Sequence, residues 1–163
     1  MRRLLAVPIL SPILLLLAGC IIAPVGGSDD RADDDRFDIP APSCDGPAFL
    51  NSPDTHYDLG HCDEVTVEGQ GISVDASDIG TLTIRGDGVE VDAASIGVIE
   101  IAGQENSVSA AAIDSLDIKG DGNEIDADGD IGVVVIAGNN NRVTGDSVGS
   151  VDVQGDRNVV EPD

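Results

Sequence analysis

From residue 64 the chain repeats itself every 17 residues, and this period limits the possible folds more than any other feature. The units are 64–80, 81–97, 98–114, 115–132, 133–149 and 150–163, with one extra residue in the fourth and a shortened sixth. The second position holds Val65, Leu82, Ile99, Leu116, Val134 and Val151, and the fourth holds Val67, Ile84, Ile101, Ile118, Ile136 and Val153. Two apolar positions separated by one describe a strand with a single buried face. The eleventh position is always Val or Ile, from Val74 to Val160, and predicts a second strand. The sixteenth holds Ile79, Ile96, Ile113, Ile131 and Val148, a third inward contact beside a turn.

Two columns have a different chemistry. The sixth position is glycine in every unit: Gly69, Gly86, Gly103, Gly120, Gly138 and Gly155. An obligatory glycine after a strand calls for positive φ or for a corner too tight for a Cβ. The ninth position changes from Ile72 and Val89 to Asn106, Asn123, Asn141 and Asn158. Amides in register, replacing aliphatic residues, point to an inward column at a corner. Asparagine tolerates left-handed geometry there, and stacked amides can bond one another as a ladder.

A single 17-residue unit cannot bury its own apolar face, whereas stacked units bury each other's. The expected fold is all-β, a single-chain β-solenoid of about six coils rising ~4.8 Å per coil. Its competitor is an antiparallel β-barrel or prism in which each unit is a hairpin, for which Gly-Asp-Gly at 86–88 and 120–122 would serve as turns.

The stretches "VVVIAGNNNRV" and "LDIKGDGNEI" pair an apolar strand with glycine, two small polar residues, asparagine and a second strand. In this they resemble the bacterial repeats catalogued as domain of unknown function 3060, over about residues 62–160. Ile72 and Val89 depart from that pattern in the first two units. The resemblance implies a repeat fold in secreted proteins and lipoproteins, and it carries over no catalytic residue.

The N-terminus gives an address. Arg2 and Arg3 precede an apolar run, Leu4 to Leu17, that is short for a membrane span and suits a secretory signal. Its end, Leu17-Ala18-Gly19-Cys20, resembles the lipobox of bacterial lipoproteins. That resemblance implies removal of residues 1–19, a diacylglycerol on the Cys20 thiol and acylation of the new N-terminus. Two signals of this kind make a stable anchor. The expected location is extracytoplasmic, anchored to a bacterial membrane, and to the outer membrane if the cell has one. Residues 20–43, rich in Gly, Pro and Asp, read as an acidic tether. Residues 44–63 read as a cap on the first coil, and 64–163 as the repeat domain. In an oxidising envelope, Cys44 and Cys62 are most simply a disulfide. The competing assignment is a Cys/His metal site with His56 and His61.

The chain carries 31 acidic residues against 8 basic ones, a formal −23, which repels nucleic acid. Its aromatics, Phe37, Phe49 and Tyr57, all precede the repeats, so none is placed in them to stack on a sugar. Units of nearly constant length leave no long loops to wall a cleft. These features argue against an enzyme, with a polysaccharide-active β-helix as the remote alternative. No cofactor is expected. Calcium is the chemical alternative, because acidic residues recur in columns and "DADGD" gathers Asp126, Asp128 and Asp130. The expected partners are the membrane, through the anchor, and either another envelope protein or a second copy at the C-terminal edge. There Val151, Val153 and Val160 end the stack and Pro162 blocks part of the ladder.

Overall fold

A computed structural model describes residues 44–162 of the chain. The expectations for the lipobox at Cys20, the signal segment and the tether lie outside these residues. Among the described residues no helix is long and apolar enough to cross a membrane.

Nine strands run through the described chain: β1 (Ala48–Leu50), β2 (His56–Val67), β3 (Ser73–Ile84), β4 (Glu90–Ile101), β5 (Ser107–Ala110), β6 (Ile113–Ile118), β7 (Glu124–Ile136), β8 (Arg142–Val153) and β9 (Val159–Pro162). Every pairing between them is parallel, and partners lie about one repeat apart, as in Val74↔Val91 and Leu82↔Ile99. The fold is therefore a parallel β-solenoid, of about seven turns. Hairpin units would pair each strand with its neighbour in antiparallel fashion, and the described strands contain no such pair.

The additional turn lies in the segment expected to be a cap. Ala48 and Leu50 align with Val65 and Val67, and Tyr57, Leu59 and Cys62 align with Val74, Ala76 and Ile79. This first turn has the inward pattern of the others but different residues: an aromatic and a cysteine sit where the repeats have Val and Ile. Cys44 is bonded to Cys62, with Cα atoms 4.9 Å apart, so a disulfide staples residue 44 to the first turn. The histidines go elsewhere. His56 lies beside Ser73 and Asp75, and His61 beside Asp63 and Asp78.

The extra residue of the fourth unit is absorbed at one place. β7 and β8 are in register up to Ala127 and again from Asp130, with an irregularity between. One turn earlier the strand is broken in the same region, and β5 ends at Ala110 before β6 begins at Ile113.

The core is a set of aliphatic columns stacked along the axis, with Val65, Leu82, Leu116 and Val134 all 0% exposed. Period-2 alternation puts these residues inside and the Asp and Glu residues outside. The glycine column reflects close approach. A Cβ on Gly103 would stand 1.8 Å from the carbonyl oxygen of Gly86, and one on Gly120 would stand 1.8 Å from that of Gly103. Left-handed φ belongs mainly to the eighth position, two residues later. Asp54, Gly71, Gly88, Glu105, Gly122, Asn140 and Arg157 have φ between 52° and 70°, one in each turn. The expectation that the ninth-position asparagines supply this geometry is thus corrected by one residue. Each turn bends through its eighth residue, whatever its type, and the ninth points inward.

Candidate functional site

The corner formed by the sixth to ninth positions concentrates the polar chemistry of the interior. Asn106, Asn123 and Asn141 are each 1% exposed. The side-chain oxygen of each asparagine accepts from the turn before it. Val89, Asn106, Asn123 and Asn141 donate their backbone N–H groups to the Oδ1 atoms of Asn106, Asn123, Asn141 and Asn158, at 2.8–3.0 Å. The amide nitrogens of Asn106, Asn123 and Asn141 donate to the same oxygens one turn on, at 3.0–3.1 Å. The nitrogens of Asn123, Asn141 and Asn158 also donate backwards, to the carbonyls of Gly103, Gly120 and Gly138.

The glycine and asparagine columns therefore depend on each other. Without a Cβ, Gly120 lets the Gly103 carbonyl sit in the corner, where it accepts the Asn123 amide. Among the described residues no buried side-chain nitrogen or oxygen lacks a partner. A fully satisfied buried network stabilises and specifies its packing, whereas a half-satisfied one costs more than an apolar core. Ile72 and Val89, both 1% exposed, fill the same column by burial alone in two earlier turns. The other two asparagines of the triple sit at the rim. Asn139 accepts from Asp156 N–H and donates to Asp121 Oδ1, while Asn140 takes the left-handed position.

The outer surface is acidic. Asp126, Asp128 and Asp130 are all exposed and the fold does not gather them. Asp126 lies in register with Ser109 and Thr144, and Asp130 accepts the Ser147 hydroxyl at 2.5 Å. Asp128 borders a shallow, alanine-floored groove with Asp75 and Asp92. Among the described residues no group of three His, Cys, Asp or Glu side chains is arranged to hold a metal ion.

One trio has residue types used in acyl transfer. His56 Nδ1 lies 3.3 Å from Ser73 Oγ, and its Nε2 lies 3.5 Å from Asp75 Oδ2. Cross-strand register accounts for it, since His56 stands directly opposite Ser73 and Asp75 follows two residues on along the same face. The histidine side chain is 44% exposed, and the alanine-floored groove includes Asp75 but neither His56 nor Ser73.

The few cations among the described residues are mostly paired outside the stack. Arg85 meets Glu68 at 2.9 Å, and Arg142 meets Glu161. Lys119 meets Asp117 at 2.8 Å, and that hydrogen bond and charge raise its ammonium above the usual lysine range. Arg157, exposed in the last described turn, makes no such pair among the described residues. The same turn leaves apolar positions open. Val151 and Val153 are 46% and 41% exposed, whereas Val134 and Ile136, one turn earlier in the same columns, are 0% exposed.

A family model described as a protein of unknown function (DUF3060) matches residues 118–162. Residues 118–162 are similar to that family. The matched stretch starts at the end of β6 and takes in β7, β8 and β9, including Asn123, Asn141 and Asn158 with the glycines before them. The DUF3060 match thus covers three corners of the ladder together with the open last turn. No curated protein and no solved structure matches the chain.

Proposed function

We propose that the protein is a lipoprotein of the bacterial envelope, anchored through Cys20, that works without catalysis by presenting a rigid acidic β-solenoid to a partner. The observation that carries the interaction half is the last described turn. Its inward columns are open at Val151 and Val153, while the turns behind it are closed. Apolar strand edges that are neither covered nor fully charged are places where another chain adds. The anchor half is supported by the sequence Leu17-Ala18-Gly19-Cys20 behind an apolar run. The partner is either another envelope protein or a second copy of this chain.

The anchor is tested by expressing the full chain and its Cys20→Ala variant and separating membrane from soluble fractions. The native chain stays with membranes and takes up labelled palmitate. The variant is released or remains unprocessed. A Cys20→Ala variant processed and retained like the native chain overturns the anchor.

A further inference from the structure

At two positions of the corner the backbone donors all point the same way along the stack. Six times, from Asp54 to Asn140, the N–H of the eighth position donates to the carbonyl of the seventh position one turn on, as in Gly88 to Gln104 and Asn140 to Asp156. Four times the N–H of the ninth position donates to an asparagine Oδ1 one turn on. At these two positions each turn offers donors toward the C-terminal side, whereas the tenth-position N–H donates the other way, as in Glu90 to Ile72 and Val159 to Asn141.

In the last described turn the corresponding donors are the N–H of Arg157, the N–H of Asn158 and the second N–H of the Asn158 amide. None has an acceptor among the described residues. Arg157 has φ 58°, and successive N–H groups around a left-handed residue form a concavity suited to an oxygen acceptor. The exposed Arg157 guanidinium, without an ion pair among the described residues, stands at the same residue. Val151 and Val153 extend the open edge along the preceding strand.

We propose that this turn docks, by parallel strand addition, an extended segment of another protein. That segment is apolar at alternate positions and places an Asp or Asn side-chain oxygen over Arg157 and Asn158. The inference rests on the reading of the protein as a partner-binding module and names the partner's chemistry. Main-chain pairing along the β8 edge supplies affinity and the corner donors supply register, as in other strand-addition complexes. A second copy fits poorly. Its own last turn presents the same Arg157 and Asn158 donors and no side-chain oxygen set to meet them, and the formal −23 of each chain opposes association. Its first turn offers no open apolar edge, since Leu50 and Leu59 are 1% and 2% exposed.

The test uses the purified full chain and fluorescent peptides with the sequence of residues 133–145, VVVIAGNNNRVTG, which already covers one turn of the stack. The ninth-position asparagine of the peptide is kept, or replaced by Asp or by Leu. The Asn and Asp peptides are expected to bind at least tenfold more tightly than the Leu peptide, read by anisotropy, and to slow amide exchange at Arg157 and Asn158. Val151→Lys, at an exposed position, should weaken the Asn peptide at least tenfold while leaving the melting temperature in place. Arg157→Ala should reduce the preference for Asp over Leu. Equal binding of the Leu peptide, indifference to Val151→Lys, or no binding at millimolar peptide each overturns the proposal. A dimer of the full chain that Val151→Lys dissolves overturns it in favour of a second copy. Failure here leaves the Cys20 fractionation result untouched, and failure there leaves the edge untouched.

Discussion

Replacing Asn141 by aspartate changes one atom and reverses one half of a buried amide. The native nitrogen donates to Gly120 O at 3.0 Å and to Asn158 Oδ1 at 3.1 Å, while the oxygen accepts from the N–H and the amide of Asn123. In Asn141→Asp the accepting side persists, but the second oxygen faces two other oxygens in a site only 1% exposed. Leaving a buried group without its partner costs about 1–3 kcal/mol, and an ionised one costs more. Protonation restores one donor, so the new carboxyl titrates above the ~3.9 of an unfolded aspartate. A folded-state pKa raised in this way contributes stability that is fully present below ~3.9 and lost as pH rises through the folded value. The variant is therefore expected to lose about 1–3 kcal/mol near pH 4 and more at pH 7. Urea unfolding of the native chain and the variant at both pH values reads the difference. A loss below about 0.5 kcal/mol at pH 7, with no dependence on pH, would refute the account of the ladder as a load on stability.

Four further outcomes can be measured. Gly103→Ala puts a Cβ 1.8 Å from the Gly86 carbonyl and should abolish a cooperative melt, whereas Gly88→Ala has open space and only the left-handed φ of +62° to bear, costing about 1–2 kcal/mol. Equal effects on the two melting curves would contradict the division between close approach and backbone conformation. Reducing the Cys44–Cys62 bond, which closes 18 residues, should lower stability by about 3 kcal/mol, and an unchanged melt would show that the staple is idle. Millimolar calcium is expected to move the melting temperature no more than magnesium does, and a rise of many degrees with calcium alone would establish the cation site that Asp126, Asp128 and Asp130 do not form in the described fold. The Cys20→Ala fractionation described above completes the set.

Much of the stack was legible in the residues because the repeat averages its own evidence. One apolar pair every second residue is weak, but the same pair in six successive units separates inward columns from outward ones. The asparagine column stood out for the same reason, since a polar residue in register with Ile72 and Val89 must find partners inside. The first turn was not legible. Its inward residues, Ala48, Leu50, Tyr57, Leu59 and Cys62, obey the column rule, yet Ser52 stands where the repeats have glycine and Pro53 and Thr55 share no residue type with their columns. The open donors at Arg157 and Asn158 were also hidden. They are backbone groups, recognisable only from the direction of the bonds in the turns before them.

By itself the sequence determined the period, the inward aliphatic columns, the obligatory glycine and the place of the amides, because side-chain burial follows local spacing. Tertiary structure decided the rest. Alternation by two serves a parallel and an antiparallel strand equally well, so only pairing between residues one repeat apart distinguishes a solenoid from hairpins. Side-chain identity at the eighth position ranges from Gly to Arg, and the left-handed bend there is imposed by stacking one corner on another. The number of turns, about seven, likewise depended on which segments add to the edge of the stack, and Ala48 to Cys62 do so through their backbone.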